Sequence, residues 1–292
     1  MNERAEGAIE APDAAHPSEE PMSMMRSAAT LAAITSLVIA CAKVPITGRR
    51  QYNLIPEKLM ITLGKSQYNS TLAKSQVQKG GEEPKVLQRV GKRIAKVANR
   101  SDYNWRYSLI KDNSINAWAL PGGYIGFYSG ILPTLKHEAG MAFVMGHEVG
   151  HATARHGAER LSQQLSVLGG MAGLYAILEG KTKLKTEQKA VIVGALGLAT
   201  EVGVILPFSR MHESESDAIG VMYMASAGYP PGQAKAVWDR MEKNTGGSVI
   251  PPFLSTHPQN AARKKTIEKW LPQALKRYRR NKLDRNTTTK LW

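Results

Sequence analysis

The stretch His147-Glu148-Val149-Gly150-His151 is the most informative part of this chain, because it has the form HExxH. An α-helix advances about 100° per residue, so residues four positions apart stand on one face. Two imidazoles placed in this way can bind one zinc ion, with each nitrogen about 2.0–2.1 Å from the metal. Glu148 can then act as a general base toward the attacking water. The pattern predicts a catalytic zinc site, and the alternative is a surface helix with two solvated histidines.

A catalytic zinc site usually has a third protein ligand, and the residues directly after HExxH do not supply it. The arrangement HExxHxxGxxH needs a glycine and a histidine where this chain has Ala154 and Gly157. His156 lies five positions beyond the second histidine, at the wrong angle on a continuous helix. These positions argue against a metzincin and place the third ligand elsewhere in the chain.

A second motif, Glu213-Ser214-Glu215-Ser216-Asp217, lies downstream and has the form ExxxD. The two ends of this motif also share one helical face. Glu213 can bind the zinc, and Asp217 can accept the free N–H of a ligand histidine and so fix its tautomer. The alternative is an acidic first turn of a helix, which is common because it complements the helix dipole.

Further motifs surround these two in an ordered series. They are Asn116-Ala117-Trp118-Ala119-Leu120-Pro121-Gly122-Gly123, Arg155-His156 after HExxH, Leu206-Pro207-Phe208-Ser209-Arg210, Ala227-Gly228-Tyr229-Pro230, and Ser255-Thr256-His257-Pro258 with Arg263. Together they resemble the HtpX, LoiP, BepA and CAAX-prenyl-protease type of membrane-associated gluzincin, which also includes the mitochondrial Oma peptidase. The resemblance covers roughly residues 41–278, with Ser216 where the family pattern has alanine.

The resemblance implies an α+β, helix-rich zincin fold with a small β-sheet beside the active-site helix. It implies one zinc ion per chain, bound by His147, His151 and Glu213. The implied function is an endopeptidase that hydrolyses unfolded or misassembled cell-envelope proteins. The alternative is a latent, chaperone-like or binding lipoprotein with little proteolytic activity, gated by His257.

The resemblance also implies roles outside the metal ligands. The position of His257 approaches the zinc in BepA-like relatives, so this residue either stabilises the oxyanion, as a catalytic partner of Glu148, or occupies the open zinc position as a gate. The segment Ile115–Leu120 is predicted to be an edge strand that pairs with extended substrate, with Asn116 and Ala117 in contact with the substrate. An ordinary internal strand fits the same sequence.

The N-terminal residues 1–40 are interpreted as an extension followed by a lipoprotein signal peptide. Ser27–Ala40 is uncharged and mostly apolar, and it is too short to span a bilayer comfortably. The last three residues of this segment and the cysteine that follows, Val38-Ile39-Ala40-Cys41, resemble the bacterial lipoprotein box. We therefore expect lipidation of Cys41 and a protein anchored to the bilayer of a bacterial cell envelope, facing the periplasm, with the outer membrane favoured. The alternative is a buried structural cysteine.

Charge and cysteine content narrow the classes of partner. The chain has 292 residues, a formal net charge of +15 and one cysteine, so it forms no intrachain disulfide. Residues 1–40 hold six acidic and two basic residues, so the remainder carries +19. Such a surface favours contact with anionic lipid head groups, although a solvated basic surface is the simpler reading. No nucleic-acid partner is expected, because no basic motif with interleaved aromatic residues occurs.

The expected organisation is a leader, a linking segment over 41–79, a catalytic domain over 80–275 and a basic tail over 276–292. Hydrophobic periodicity predicts helices over Glu83–Asn99 and Glu138–Gln163, and strands over Trp105–Lys111, Ser114–Leu120 and Tyr124–Tyr128. The apolar segment 166–208 lies between the two zinc motifs. Two packed helices near the cleft are favoured there over a membrane span.

Overall fold

The computed structural model describes residues 41–167, 209–243, 251–258 and 261–281. The strands are β1 (Cys41–Lys43), β2 (Arg50–Tyr52), β3 (Arg106–Ile110), β4 (Ala117–Leu120) and β5 (Tyr124–Tyr128). The helices are α1 (Glu57–Ala73), α2 (Glu82–Ala98), α3 (Leu132–Leu135), α4 (Glu138–Thr153), α5 (His156–Val167), α6 (Arg210–Ser226), α7 (Gln233–Lys243), α8 (Pro252–Thr256) and α9 (Ala261–Arg280). The predicted helix-rich α+β zincin fold is confirmed.

The main sheet has three strands in the order β3-β5-β4. Strand β5 pairs in parallel with β3 and antiparallel with β4. The connection from β4 to β5 is tight, and it turns at Gly122 and Gly123, where φ is +93° and +86°. Both angles lie in the region that glycine adopts without a steric penalty. The predicted strands and their turn are confirmed, and the topology leaves β4 at an edge of this sheet.

Helices α4 and α6 form the centre of the fold and approach each other through glycines. A β-carbon on Gly146 would lie 2.9 Å from the carbonyl oxygen of Gly220, and one on Gly220 would lie 2.8 Å from the backbone nitrogen of His147. Such distances are shorter than van der Waals contact, so only glycine permits this separation of the two backbones. Every residue of α4 is buried, which explains its largely apolar composition.

The predicted helix over Glu138–Gln163 is wrong in one respect, because it is two helices. Helix α4 ends at Thr153, and α5 begins at His156. Between them Arg155 has a φ of +55°, a left-handed conformation that interrupts the helical hydrogen bonds. The Arg155 side chain forms an ion pair with Glu57 and donates to the carbonyl oxygen of Ile55 at 2.6 Å. These contacts with a distant segment support the break.

The interval between the two zinc motifs lies mostly outside the described residues. The segment predicted as two helices, 166–208, enters the described chain only at residues 166 and 167, where α5 ends. Among the helices that the structure describes, none is long and apolar enough to cross a bilayer.

The contact between α4 and α6 yields a stability prediction for Gly220→Ala. The added methyl group would meet backbone atoms, which cannot move aside as a flexible side chain would, and overpacking of this kind costs about 1–3 kcal/mol. We expect a lower free energy of unfolding in chemical denaturation. The matched control is Gly232→Ala, because a β-carbon on Gly232 has no atom within 4 Å. Equal destabilisation by the two substitutions would show that the helix contact is not tight.

Candidate metal centre

Four buried side chains converge between α4, α6 and α8. They are His147, His151, Glu213 and His257, and their ligand atoms all lie within 4.8 Å of one another. The HExxH spacing places the two histidines of α4 on one face, as expected, and Glu213 enters from the first turn of α6. His257 directly follows α8. The structure therefore brings together the three residues predicted as metal ligands and the histidine predicted as gate or oxyanion donor.

The separations within this cluster fit the coordination sphere of one small metal ion. The Nε2 atoms of His147 and His151 are 3.1 Å apart, and Glu213 oxygens lie 3.5 Å and 3.3 Å from these two nitrogens. Nδ1 of His257 is 3.3 Å from Nε2 of His147 and 3.1 Å from Oε1 of Glu213. Ligands about 2.0–2.1 Å from a tetrahedral zinc ion are roughly 3.3–3.4 Å apart. The donor atoms thus lie close enough together to surround one ion.

The charge around the cluster also calls for a cation. Among the described residues of the site and its supports, five carboxylates meet three guanidinium groups: Glu148, Glu159, Glu213, Glu215 and Asp217, against Arg49, Arg160 and Arg263. With the histidines neutral, as metal ligands are, and all five carboxylates ionised, two formal negative charges remain, which one divalent ion would neutralise. Imidazole and carboxylate donors in tetrahedral arrangement are typical of zinc, so the predicted cofactor, one zinc ion, is confirmed as the group that these residues fit.

One ligand histidine is oriented by Asp217 and Arg263. Nδ1 of His147 lies 3.0 Å from Oδ1 of Asp217, and Arg263 donates to both oxygens of that carboxylate at 2.6 and 2.8 Å. Arg263 also pairs with Glu213 at 2.7 Å and packs its guanidinium 4.0 Å above the ring of Trp238. An ionised Asp217 accepts the Nδ1 proton and leaves Nε2 free to bind a metal. The structure places Asp217 in the position predicted for it.

Burial and charge shift the pKa values of the cluster in opposite directions. Burial raises the pKa of Glu213, but Arg263 and the nearby histidines outweigh it and hold that pKa well below its usual range. Burial lowers the pKa of His147, but hydrogen bonds with Asp217 and Glu213 raise it to about 9. The first shift keeps Glu213 ionised and the second reflects the two carboxylates that face His147, whereas burial lowers the pKa of His151 well below its usual range.

Glu148 stands apart from the ion-paired carboxylates. It is 3 % exposed, and burial raises its pKa. Within the described residues its Oε1 atom forms no hydrogen bond, and Nε2 of His257 is 3.5 Å away. A buried carboxylate with an uncommitted oxygen and a raised pKa is suited to accept a proton.

The predicted substrate residues lie at the edge of the sheet beside this cluster. Oδ1 of Asn116 accepts from the backbone N–H of Ala117 at 2.9 Å, and the carbonyl oxygen of Asn116 accepts from Tyr128 at 3.0 Å. Further along β4, Ala119 lines the same small cleft as His151. The expected position of an edge strand next to the active-site helix is found, whereas contact with substrate stays a prediction.

A second group of polar residues, four of them buried and two half-buried, was not predicted from the sequence. It surrounds the far side of His151 and consists of Thr47, Arg49, His156, Glu159, His212 and Glu215. His156 is buried, which lowers its pKa to about 4 and leaves the ring neutral at pH 7. The only signal in the sequence was the Arg155-His156 pair after HExxH. No local pattern connects it to the loop that follows β1.

Cys41, the predicted lipidation site, begins β1 and is paired with Tyr52 of β2. Residues 1–40, interpreted as extension and signal peptide, lie outside the described residues. Acylation of Cys41 stays a prediction.

Comparison with known proteins places this site in a family. Residues 82–271 match the profile of Peptidase family M48. The chain is 34 % identical to the mitochondrial metalloendopeptidase OMA1 of Schizosaccharomyces pombe over 79 % of its length, and 30 % identical to that of Saccharomyces cerevisiae over 80 %. It is 30 % identical over 59 % of its length to a putative beta-barrel assembly-enhancing protease of Vibrio cholerae. The alignments span 66 %, 69 % and 36 % of these three relatives.

The resemblance inferred from the motifs is therefore confirmed at the level of OMA1-like and BepA-like relatives, while the lipoprotein subgroup stays a prediction. The location expected from the N-terminal sequence, a bacterial outer membrane facing the periplasm, is wrong. The relatives that align with about four fifths of this chain are named as mitochondrial proteins. The expectation depended on a short apolar run before one cysteine, a pattern too brief to identify a compartment.

The cluster predicts how zinc content responds to single substitutions. His151→Ala removes one of three proposed protein ligands, so purified protein should hold clearly less than one zinc per chain. Glu148→Gln removes only the proposed base and keeps the volume of the side chain, so it should retain zinc at the wild-type level. Elemental analysis of both variants measures this difference. Equal zinc in His151→Ala and wild type would exclude His151 as a ligand.

Proposed function

Because the chain belongs to Peptidase family M48, we propose that it is a zinc-dependent endopeptidase that cleaves unfolded or misassembled proteins. The observation that carries this proposal is the convergence of His147, His151 and Glu213, with the uncommitted carboxylate of Glu148 beside them. The proposed catalytic domain spans residues 80–275. The cell-envelope substrates that the resemblance implies stay a proposal, because the comparisons support the function at the level of the family.

The chemistry follows from the protein side chains around the metal. Zinc, when bound, supplies Lewis acidity toward the scissile carbonyl and makes water more acidic. Glu148 takes the proton of the attacking water and later delivers it to the leaving amine. Its raised pKa suits both transfers, because a base with a pKa closer to neutrality can accept and return a proton. Asp217 and Arg263 keep His147 in one orientation throughout.

The edge of the sheet supports extended, unfolded chain as the substrate class. Strand β4 has no partner strand on its outer side among the described residues, and its Ala119 borders the cleft that His151 also lines. A substrate that adds to such an edge binds through its main chain, with little dependence on side chains. This is the binding mode that a protease of unfolded proteins needs. The Vibrio cholerae relative, a putative beta-barrel assembly-enhancing protease by name, fits the same class.

The position of His257 favours the gate over the oxyanion role. Its Nδ1 atom lies within the ligand cluster, 3.1 Å from Oε1 of Glu213 and 3.3 Å from Nε2 of His147. The ring stacks on Phe253 at 4.6 Å, and Phe253 donates its backbone N–H to the carbonyl oxygen of Ile115, which leads into β4. We propose that the resting enzyme is closed by His257. When a substrate pairs with β4, movement of the adjacent chain at Ile115 would then displace α8, and with it His257.

The first test of this function is cleavage of casein by wild type and by Glu148→Gln. Casein is unfolded and offers extended segments, so wild type should cleave it, whereas the variant should retain zinc and lose nearly all turnover. Cleavage is followed by gel electrophoresis, with zinc measured on the same samples. Absence of cleavage in both, with zinc present, would favour the latent, chaperone-like alternative instead.

The second test concerns the gate. His257→Ala should raise the rate of casein cleavage, because the position next to the metal that His257 occupies becomes open. If the residue stabilises the oxyanion instead, the rate should fall by about 10²–10³. Zinc content must be measured alongside, because loss of metal would also lower the rate. Ser255→Ala is the matched control, since Ser255 lies on α8, the short helix directly before His257, and its side-chain hydroxyl donates, within the described residues, to the carbonyl oxygen of Pro251 at 3.5 Å.

A further inference from the structure

The second ligand histidine, His151, has a supporting chain of its own. Its Nδ1 atom lies 3.0 Å from Nδ1 of His156, and Nε2 of His156 lies 3.0 Å from Oε2 of Glu215. All three side chains are buried. The break between α4 and α5 makes this possible, because it turns His156 back toward the ligand instead of continuing the helix away from it.

The hydrogen atoms of this chain can be placed in only one way when His151 binds a metal through Nε2. A neutral imidazole then carries its proton on Nδ1, so His151 donates and Nδ1 of His156 accepts. His156 must consequently carry its own proton on Nε2, which it donates to the carboxylate of Glu215. The hydroxyl of Ser216, 3.4 Å from Nδ1 of His156, is compatible with this tautomer because it can also donate to that nitrogen.

Glu215 is fixed in turn by the loop that joins β1 to β2. Thr47 donates its hydroxyl to Oε1 of Glu215, and Nε of Arg49 donates to Oε2 at 2.8 Å. The same guanidinium makes a bidentate pair with Glu159 at 2.8 and 2.7 Å. Arg49 thereby holds two nearly buried carboxylates at once.

The remaining member of the network covers the flat face of His156. His212 stacks on that ring with a centroid distance of 4.3 Å and an interplanar angle of 20°. Its Nε2 atom is 3.0 Å from Oε2 of Glu159, the second carboxylate that Arg49 holds. The His156 ring is therefore fixed at its edge by Glu215 and on its face by His212.

We propose that His156 is a positioning residue for the metal ligand His151, and that Thr47 and Arg49 complete this support through Glu215. The loop after β1 is thus an outer part of the metal centre, although it lies about a hundred residues before it in the chain. The arrangement parallels the other ligand, where Asp217 and Arg263 act on His147. The proposal rests on the proposed function only in taking His151 as a zinc ligand.

The test measures zinc affinity by competition with a chromophoric chelator, together with casein cleavage. Outer partners of metal ligands typically contribute 10- to 100-fold in affinity. We expect Arg49→Met and His156→Leu to weaken zinc binding by a factor in that range. Arg50→Met is the matched control, because the neighbouring Arg50 is exposed on β2, and it should change affinity less than twofold. Thr47→Val, which removes only a hydroxyl donor, should have a smaller effect of the same sign.

A conservative variant separates positioning from simple structural support. His156→Gln keeps an acceptor for the N–H of His151 and a donor for Glu215, so it should recover most of the affinity that His156→Leu loses. The absorption spectrum of the cobalt-substituted protein should change in His156→Leu and return toward wild type in His156→Gln. Circular dichroism at the assay temperature confirms that each variant is folded.

The outcomes distinguish this proposal from the proposed function. Unchanged zinc affinity in folded Arg49→Met and His156→Leu overturns the positioning role and leaves the endopeptidase standing. If both variants bind zinc more weakly but the wild-type protein does not cleave casein, the positioning role is supported and the endopeptidase function is overturned. Equal loss of affinity in His156→Gln and His156→Leu would also overturn the proposal, because it would mean that ring packing alone matters.

Discussion

The close approach of α4 and α6 is the constraint on which the whole centre depends. The two helices carry all three proposed protein ligands, and a zinc–nitrogen bond tolerates little variation in length. Gly146 and Gly220 let the backbones meet at a distance that any side chain would forbid. The glycine within HExxH itself contributes to the same contact, since a β-carbon on Gly150 would touch Ile219 at 3.4 Å. The packing of the two helix backbones therefore determines how far apart the proposed ligand residues lie.

The charged and polar residues around that contact form two similar groups, one beside His147 and one beside His151. Each proposed ligand histidine places its Nδ1 atom beside a buried polar partner, and each chain of partners ends at an arginine, Arg263 on one side and Arg49 on the other. Buried carboxylates without such partners would be costly, because the low dielectric of the interior penalises an uncompensated charge. The arrangement pairs these carboxylates with guanidinium groups, whereas Glu148, the proposed base, has no ion pair with an arginine among the described residues.

The sequence predicted those parts of the molecule that depend on local periodicity. Helix α2 was expected over Glu83–Asn99 and is found one residue earlier at each end, with Asn99 in the left-handed conformation that ends the helix. HExxH and ExxxD identified the cluster because four-residue spacing is a local property of helices. The break at Arg155 was missed, because its cause is a contact with Glu57 and Ile55 in a distant segment. The role of Arg49 was missed for the same reason, since its partners lie 110 and 166 positions away.

The two supporting arginines lie on opposite sides of HExxH in the chain, and this affects the order in which the centre can be assembled. Synthesis proceeds from the N-terminus, so the hairpin with Arg49 and helix α4 emerge well before α9 with Arg263. Until α9 docks, Glu213 and Asp217 lack their ion pairs with the guanidinium of Arg263. A growing chain therefore holds an incomplete centre. The surroundings of the proposed ligands are therefore completed only when the segment that carries Arg263, more than a hundred residues after HExxH, has been synthesised and has docked.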